Sequence, residues 1–387
     1  MSTPNIVEQQ SGRALRLFWL CGLLLLLAAA AGPWWADSGL LRLVGEFAYM
    51  LALAQMWNLL AGYGGLVSIG QQAFVGIGGY TLLVFSMDLQ GSPFLGVLVG
   101  GVAAAVAALL VAPVLFRLRD AYFAIGTWVV AEVFRLLVSN VPAVGGGSGK
   151  SLTSALIGYP PQYREAMTFW IALALGVGTT LGAYLFLRSR PGLGLTAIRD
   201  SEVASESLGV RVRWLKLMVF VASAFGCWLT GALIYLTHLR IAPDSAFGID
   251  WSAAMIFIVV IGGIGTLEGP IIGTVIYLLL RNLLGDYGAW YMIALGAAAI
   301  ATMLKAPSGI WGIVVKRFDL RVFPIQRRLR RIGAPTNQHI DRPSDTPRIA
   351  AEGPQMAECC NTTHSTSKSQ AAEFALEQRE PRPLKQG

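Results

Sequence analysis

The chain has 387 residues, of which 55% are hydrophobic and 13% charged, with a formal net charge of +8. Soluble domains carry about 25% charged residues, so this composition excludes an ordinary water-soluble domain and indicates a chain built to sit in a bilayer. In such a chain the positive charge belongs to loops on one side of the membrane rather than to a nucleic-acid surface.

The first apolar run, 17–35, follows Arg13 and Arg16 and ends in small residues, which mimics a cleaved leader. Nine further runs follow it, so it is taken as an uncleaved first span. The others cover roughly 43–61, 64–85, 93–115, 121–141, 167–187, 217–237, 251–264, 269–284 and 288–304. About 20 helical residues cross the hydrocarbon core. The expected fold is therefore all-α and polytopic, with eight to ten transmembrane or re-entrant helices. Residues 1–16 form a short N-terminus, 17–315 the membrane domain and 316–387 a basic, then polar, tail.

Two places are interrupted by glycine. One is "GYGGLVSIGQQAFVGIGGY", Gly62 to Tyr80; the other is "GGIGTLEGP", Gly262 to Pro270. Broken backbone at membrane depth survives where protein buries it or water reaches it, and such breaks point to a transporter's binding region. Gly65, Ser68, Gly70, Gln71, Phe74, Gly78, Gly262, Gly263 and Gly265 are therefore candidate path residues. Glu132 and Arg135 join them. Charges inside a span are costly and face a partner or a wet cavity, and at i,i+3 these two can pair with each other. Arg281, near a span end, is expected to snorkel to the surface.

Between the fifth and sixth spans lies "VGGGSGKSL", Val144 to Leu152, which mimics a phosphate-binding loop. The motif G-x-x-x-x-G-K-[ST] needs glycine at 144, where valine stands, and it should follow a buried strand. What precedes it is an apolar helical run, so no nucleotide site is expected. Lys and Arg counting places the N-terminus inside. With ten crossings, the inside loops hold ten of these residues and the outside loops five. The "VGGGSGK" loop then lies outside.

The longest charged stretch between spans is Arg188 to Lys216 on the inside. Its centre, Leu195 to Leu208, has helical spacing, with Leu195, Ile198, Val203 and Leu208 apolar and Gly209 placed as the residue past the helix end. Its polar face mixes acids and bases, unlike the basic face of a membrane-surface helix. The spacing fits an amphipathic helix docked into a partner's groove. Cys21, Cys227, Cys359 and Cys360 show no metal-ligand spacing, and two of the three histidines lie in the tail, so no catalytic or metal constellation is expected.

Four motifs, in order, resemble one family. "AIRDSEVASESLGV" followed by "LKLMVFVASAFGCWLTGAL" looks like the permease subunits of bacterial ABC importers for branched-chain amino acids, and more narrowly like the LivM-type member of the permease pair. "GYGGLVSIGQQAFVGIGGYT", "AYFAIGTWVVAEVFRLLVSN" with its glycine-rich exit, and "GGIGTLEGPIIGT" are similar to other signatures of that family. Ser205 stands where the family usually has alanine. The resemblance implies that the Arg188–Lys216 loop couples to an ATPase subunit through Arg199, Asp200, Glu202, Ala204, Glu206, Leu208 and Gly209. It also implies a sister permease, two ATPase subunits that bind the ATP, a soluble substrate-binding protein and the bacterial inner membrane. No cofactor, no nucleic acid and no covalent chemistry are implied for this chain itself. Leucine, isoleucine or valine are the implied cargo, with urea or short amides as the alternative. From the residues alone, an ion-coupled carrier fits the broken helices equally well.

Overall fold

The computed structural model describes residues 26–99, 101–285, 290–306 and 308–318, together with 6–8, 22, 24 and 329–331. The chain divides into two units. One comprises residues 1–7 and 331–387, of which Ile6, Val7 and Arg331 are described, in short strands. The expected tail, including Cys359, Cys360 and His364, lies outside the described residues, as do residues 17–21 of the first apolar run.

The larger unit, 8–330, is helical. Helix α1 (Ser38–Trp57) begins where the Asp37 side chain accepts from Gly39 N and continues as a π-helix, Asn58–Tyr63. After it come α2 (Gln72–Met87), α3 (Pro93–Val99), α4 (Gly101–Leu115), α5 (Asp120–Ser139) and α6 (Pro161–Arg188). The Arg188–Lys216 loop holds α7 (Arg190–Asp200) and α8 (Glu202–Ser207). The described helices continue with α9 (Val212–His238), α10 (Pro243–Ala246), α11 (Ile249–Gly262), α12 (Gly269–Leu284), α13 (Trp290–Lys305) and α14 (Gly309–Phe318). Among the described residues, seven stretches are long and apolar enough to cross a bilayer, and α2 and α12 are shorter. These helices are hydrophobic around most of their circumference, as helices with lipid or protein on every side must be.

The bundle has two ends. At one, the far end, Lys150–Ser151 pairs antiparallel with Arg240–Ile241, Arg42 meets Glu165 at 2.9 Å, and Arg281 pairs with Glu46. At the other, the loop end, α7 lies beside the end of α1 and the turn between α11 and α12, and α8 is fastened to α9. Successive long helices run between these ends in alternation. The centre is α1, whose buried residues run without interruption from Ala48 to Trp57.

Three expectations need correction. The run 64–85 is not one segment broken throughout: residues 64–71 are non-helical and α2 starts at Gln72. Gly76, Gly78 and Gly79 sit inside regular helix. A Cβ on them would meet the Phe247 ring, Trp228 O and the Tyr235 ring at 2.4, 2.2 and 2.4 Å, so they serve close helix contact. Second, the break at Gly262–Pro270 lies between two helices rather than within one: the Gly263–Glu268 turn joins α11 and α12 at the loop end. Third, Arg281 is held by Glu46 rather than free to snorkel, because α12 lies against the first turns of α1. Both side chains are half-buried. Removing one charge leaves the other facing protein, so Glu46→Gln or Arg281→Gln should each cost about 1–2 kcal/mol, between exposed and buried pairs. The double variant should cost less than the sum of the two. Thermal melts of all three in detergent check this.

Candidate functional site

The candidate path residues gather in three places rather than one, and the loop residues lie apart from them on α7 and α8. The first is the unwound segment before α2. Two of its backbone donors, and the first of α2, are taken by side chains from distant helices. Thr127 Oγ1 accepts from Ile69 N and Gly70 N, both at 3.2 Å, and Ser252 Oγ accepts from Gln72 N at 3.3 Å. Ser252 in turn donates to Gln72 Oε1, and Trp57 Nε1 donates to Ser68 O at 2.8 Å. Only glycine fits at position 70, since a Cβ would lie 1.9 Å from Thr127 O. Ser68, Gly70, Gln71, Phe74 and Gly78 are all buried here. Gln71 is fully buried, and neither atom of its side-chain amide has a partner among the described residues. An unsatisfied buried amide is expensive, and in a native protein it marks a place where something else binds or moves.

The second place is the loop end. Asn58 Nδ2 donates to Thr266 O at 2.7 Å, Asn58 Oδ1 accepts from Gly265 N at 2.9 Å, and Gln55 Nε2 donates to Leu267 O at 2.8 Å. These bonds lock the turn between α11 and α12 onto the π-helical end of α1. The turn needs Gly263 (φ +137°) and Gly265 (φ +73°), values that side chains strain to adopt. Gly262 is buried against Gly269 O, and Gly65 (φ +69°) lies beside Arg199. A π-turn inside an α-helix recurs at functional positions, and here it lies where three segments meet.

The third place is the far end of α5. Arg135 Nε donates to Glu132 Oε1 at 2.9 Å, as its i,i+3 spacing anticipates, and its guanidinium also holds Asp244 at the start of α10. The Glu132 side chain is 44% exposed on a helix that buries little else in the bundle.

The loop itself differs from the single helix expected over Leu195–Leu208. The helix stops at Asp200, because Ser201 is extended (φ −161°, ψ 114°) and caps a new helix by accepting from Ala204 N. The apolar face therefore splits. Leu195 and Ile198 on α7 are buried in the bundle, whereas Val203 on α8 and Leu208 just past its end are 76% and 81% exposed. Asp200, Glu202, Ala204 and Glu206 are exposed too. Glu202 pairs with Lys216 at 2.7 Å, which fastens α8 to α9. Gly209 has φ +82°, and its N–H bonds Glu206 O, ending α8 as the sequence indicates. Ser205 is buried, with its hydroxyl bonded back to Ser201 O, so this position takes only a small side chain.

The glycine-rich stretch after α5 is built from short turns. Two short 3-10 turns, Pro142–Val144 and Gly146–Ser148, follow a helix, and Lys150 Nζ donates back to Ala143 O. Gln55, Asn58, Glu46, Thr127, Ser252 and Asp244 are partners that reading the sequence missed. Gln55 and Asn58 had a signal: two amides one turn apart in an apolar span need partners inside it.

The sequence profile of the family described as "Branched-chain amino acid transport system / permease component" matches residues 39–306. The chain is 28% identical over 312 residues to the high-affinity branched-chain amino acid transport system permease protein LivM of Escherichia coli strain K12, covering 74% of this chain and 73% of that one. It is 26% identical over 182 residues to a probable branched-chain amino acid transport permease protein LivM of Methanocaldococcus jannaschii, covering 46% and 52%. A ribose import permease protein, RbsC of Haemophilus influenzae, is 28% identical over 163 residues, covering 40% and 47%. No solved structure matches the chain.

Proposed function

The chain belongs to the family of branched-chain amino acid transport system permease components, and on that footing we propose that it carries leucine, isoleucine or valine inward through a bacterial inner membrane, driven by ATP hydrolysed on separate subunits. It is a multi-pass membrane permease of the ABC-importer class. The observation that carries the ATP-driven reading is α8. This short helix projects from the bundle with two large apolar side chains in the open, Val203 and Leu208, at the end where Lys and Arg counting puts the cytoplasm. Exposed apolar side chains on a charged loop helix are what a groove on a partner would bury. An ion-coupled carrier has no use for them.

In this reading a sister permease covers α5, whose partly exposed Glu132 would be costly against lipid. The cargo passes between the two permeases. In this reading Gln71, whose buried side-chain amide has no partner among the described residues, receives a polar group of the cargo. A binding protein delivers the amino acid at the far end. ATP stays on the ATPases, and this chain moves the cargo without making or breaking a covalent bond.

The test is uptake of labelled leucine into proteoliposomes holding this chain, a sister permease and candidate ATPase subunits. Uptake should require ATP and the binding protein and should ignore proton and sodium gradients. Uptake that follows an ion gradient without any ATPase would overturn the proposal and bring forward the secondary-carrier reading.

A further inference from the structure

Arg199 is a half-exposed cation of the loop: one side of its guanidinium lies 3.4 Å from Asp200 and the other reaches the bundle. It sits on the last turn of α7, the helix whose Leu195 and Ile198 are buried in the bundle. Its Nη1 donates to Gly62 O at 3.1 Å. That carbonyl is at the end of the π-helical stretch of α1. The next free N–H groups, of Gly65 and Leu66, bond the carbonyls of Ala61 and Leu60 instead. Arg199 thus supplies from another segment the donor that a helix C-terminus needs, and it places a positive charge at the negative end of the helix dipole.

The same point touches the second broken element. A Cβ on Gly62 would lie 2.7 Å from Gly265 N, and one on Gly265 would lie 3.0 Å from Arg199 Nη1. Asn58, one turn before Gly62, holds that turn through Thr266 and Gly265. A guanidinium from the loop, the end of the central helix and the α11–α12 turn therefore meet within one hydrogen-bonded knot. Ser201 separates this knot from α8 by a single extended residue.

We infer that Arg199 is a positioning residue that ties the loop to the membrane bundle: α8 takes the push of a partner, and Arg199 passes it to the end of α1 and the Gly263–Glu268 turn. This rests on the reading that an ATPase docks on α8. It changes the role of Arg199 from ATPase contact to internal transmission. It also gives the π-turn a purpose, since a loosely wound helix end can shift its bonding register when the tie moves.

The test uses the reconstituted permease, ATPase and binding-protein complex with Arg199→Gln. Arg199→Lys, which keeps the charge but loses the planar fork, is the variant that preserves the fold. Wild type and variants are compared for co-purifying ATPase, ATP hydrolysis and leucine uptake per ATP. With Arg199→Gln, ATPase recovery should match wild type and hydrolysis should continue, while uptake per ATP falls at least about tenfold, as loss of one charge-assisted hydrogen bond implies. Arg199→Lys should fall between. In the detergent-purified chain alone, Arg199→Gln should also speed amide hydrogen exchange at 62–66 and 263–268 and leave α6 unchanged. If Arg199→Gln loses the ATPase, the residue is a docking contact and the inference is wrong. Unchanged uptake per ATP, or unchanged exchange at both segments, overturns it equally. A wild-type complex that recruits no ATPase removes the importer reading, and the tie with it.

Discussion

Gly78→Leu and Gly231→Leu should each strongly destabilise the folded bundle, while Gly178→Leu and Gly182→Leu should leave it intact. Gly78 on α2 and Gly231 on α9 face one another's helix at backbone contact. A Cβ at 78 would sit 2.2 Å from Trp228 O and 2.9 Å from Ala232 N, and one at 231 would sit 2.2 Å from Val75 O. The obstacle is backbone in both cases, so no side-chain rotation relieves it. Lipid is as apolar as leucine, so helices in a bilayer hold together by close approach and polar contacts rather than by expelling water. Pushing α2 off α9 would also strain the bond from Trp228 Nε1 to Thr81 Oγ1, 2.8 Å long and anchored next to Gly78. Overpacking costs about 1–3 kcal/mol and more where nothing yields; at roughly 2–4 °C per kcal/mol the melting temperature should drop by about 10 °C or the chain should fail to fold. Gly178 and Gly182 on α6 have open space where a Cβ would go. Replacing them removes a helix penalty of about 1 kcal/mol. Thermal loss of the monodisperse chain in detergent decides the matter, and a Gly78→Leu melt within a couple of degrees of wild type would contradict the packing described here.

Val203→Asp combined with Leu208→Asp should abolish capture of the ATPase without touching the fold. Both side chains are already largely in water, and exposed substitutions shift stability by about 0.5 kcal/mol at most. Covering each by a partner is worth about 1.5–3 kcal/mol. Losing both, and forcing carboxylates into the groove, should weaken association at least 100-fold, since about 1.4 kcal/mol is tenfold. Binding measured by surface capture of the purified ATPase gives the number. Association that survives both charges would place the docking surface elsewhere on the chain.

The membrane-spanning segments were legible because hydrophobic runs of sufficient length allow little else. Their ends were less so. Helix α6 starts at Pro161 rather than near 167, since a proline at the first helical position nucleates a turn among polar residues that hydropathy ignores. The two glycine-rich places were found, but composition could not separate glycines that release the backbone from those that let helices touch. Gly263 and Gly265 need positive φ; Gly76, Gly78 and Gly79 need only the absence of a side chain. The candidate path was legible as a set of residue types, not as an arrangement. Gln71 and Gly265 share a motif class yet belong to different knots, because the unwound segment after Tyr63 carries the chain away from the loop end before α2 begins. The break at Ser201 was hidden because Leu195, Ile198, Val203 and Leu208 keep helical spacing across it, and a serine cap leaves that period undisturbed.

The unwound segment before α2 bears on how the protein is made. The amides of Ile69 and Gly70 wait for Thr127, and that of Gln72 for Ser252, which leave the ribosome 57 to 180 residues later. Bare amides are not tolerated in hydrocarbon. During synthesis the third apolar run therefore has no stable resting place in lipid, and it stays shielded or only partly inserted until the fifth span and then the eighth arrive. Chains interrupted early should leave this run accessible to reagents from the water, and it should become inaccessible only once α11 has been added. Insertion order and translation order should therefore differ in this chain, and the eight non-helical residues 64–71 are the reason.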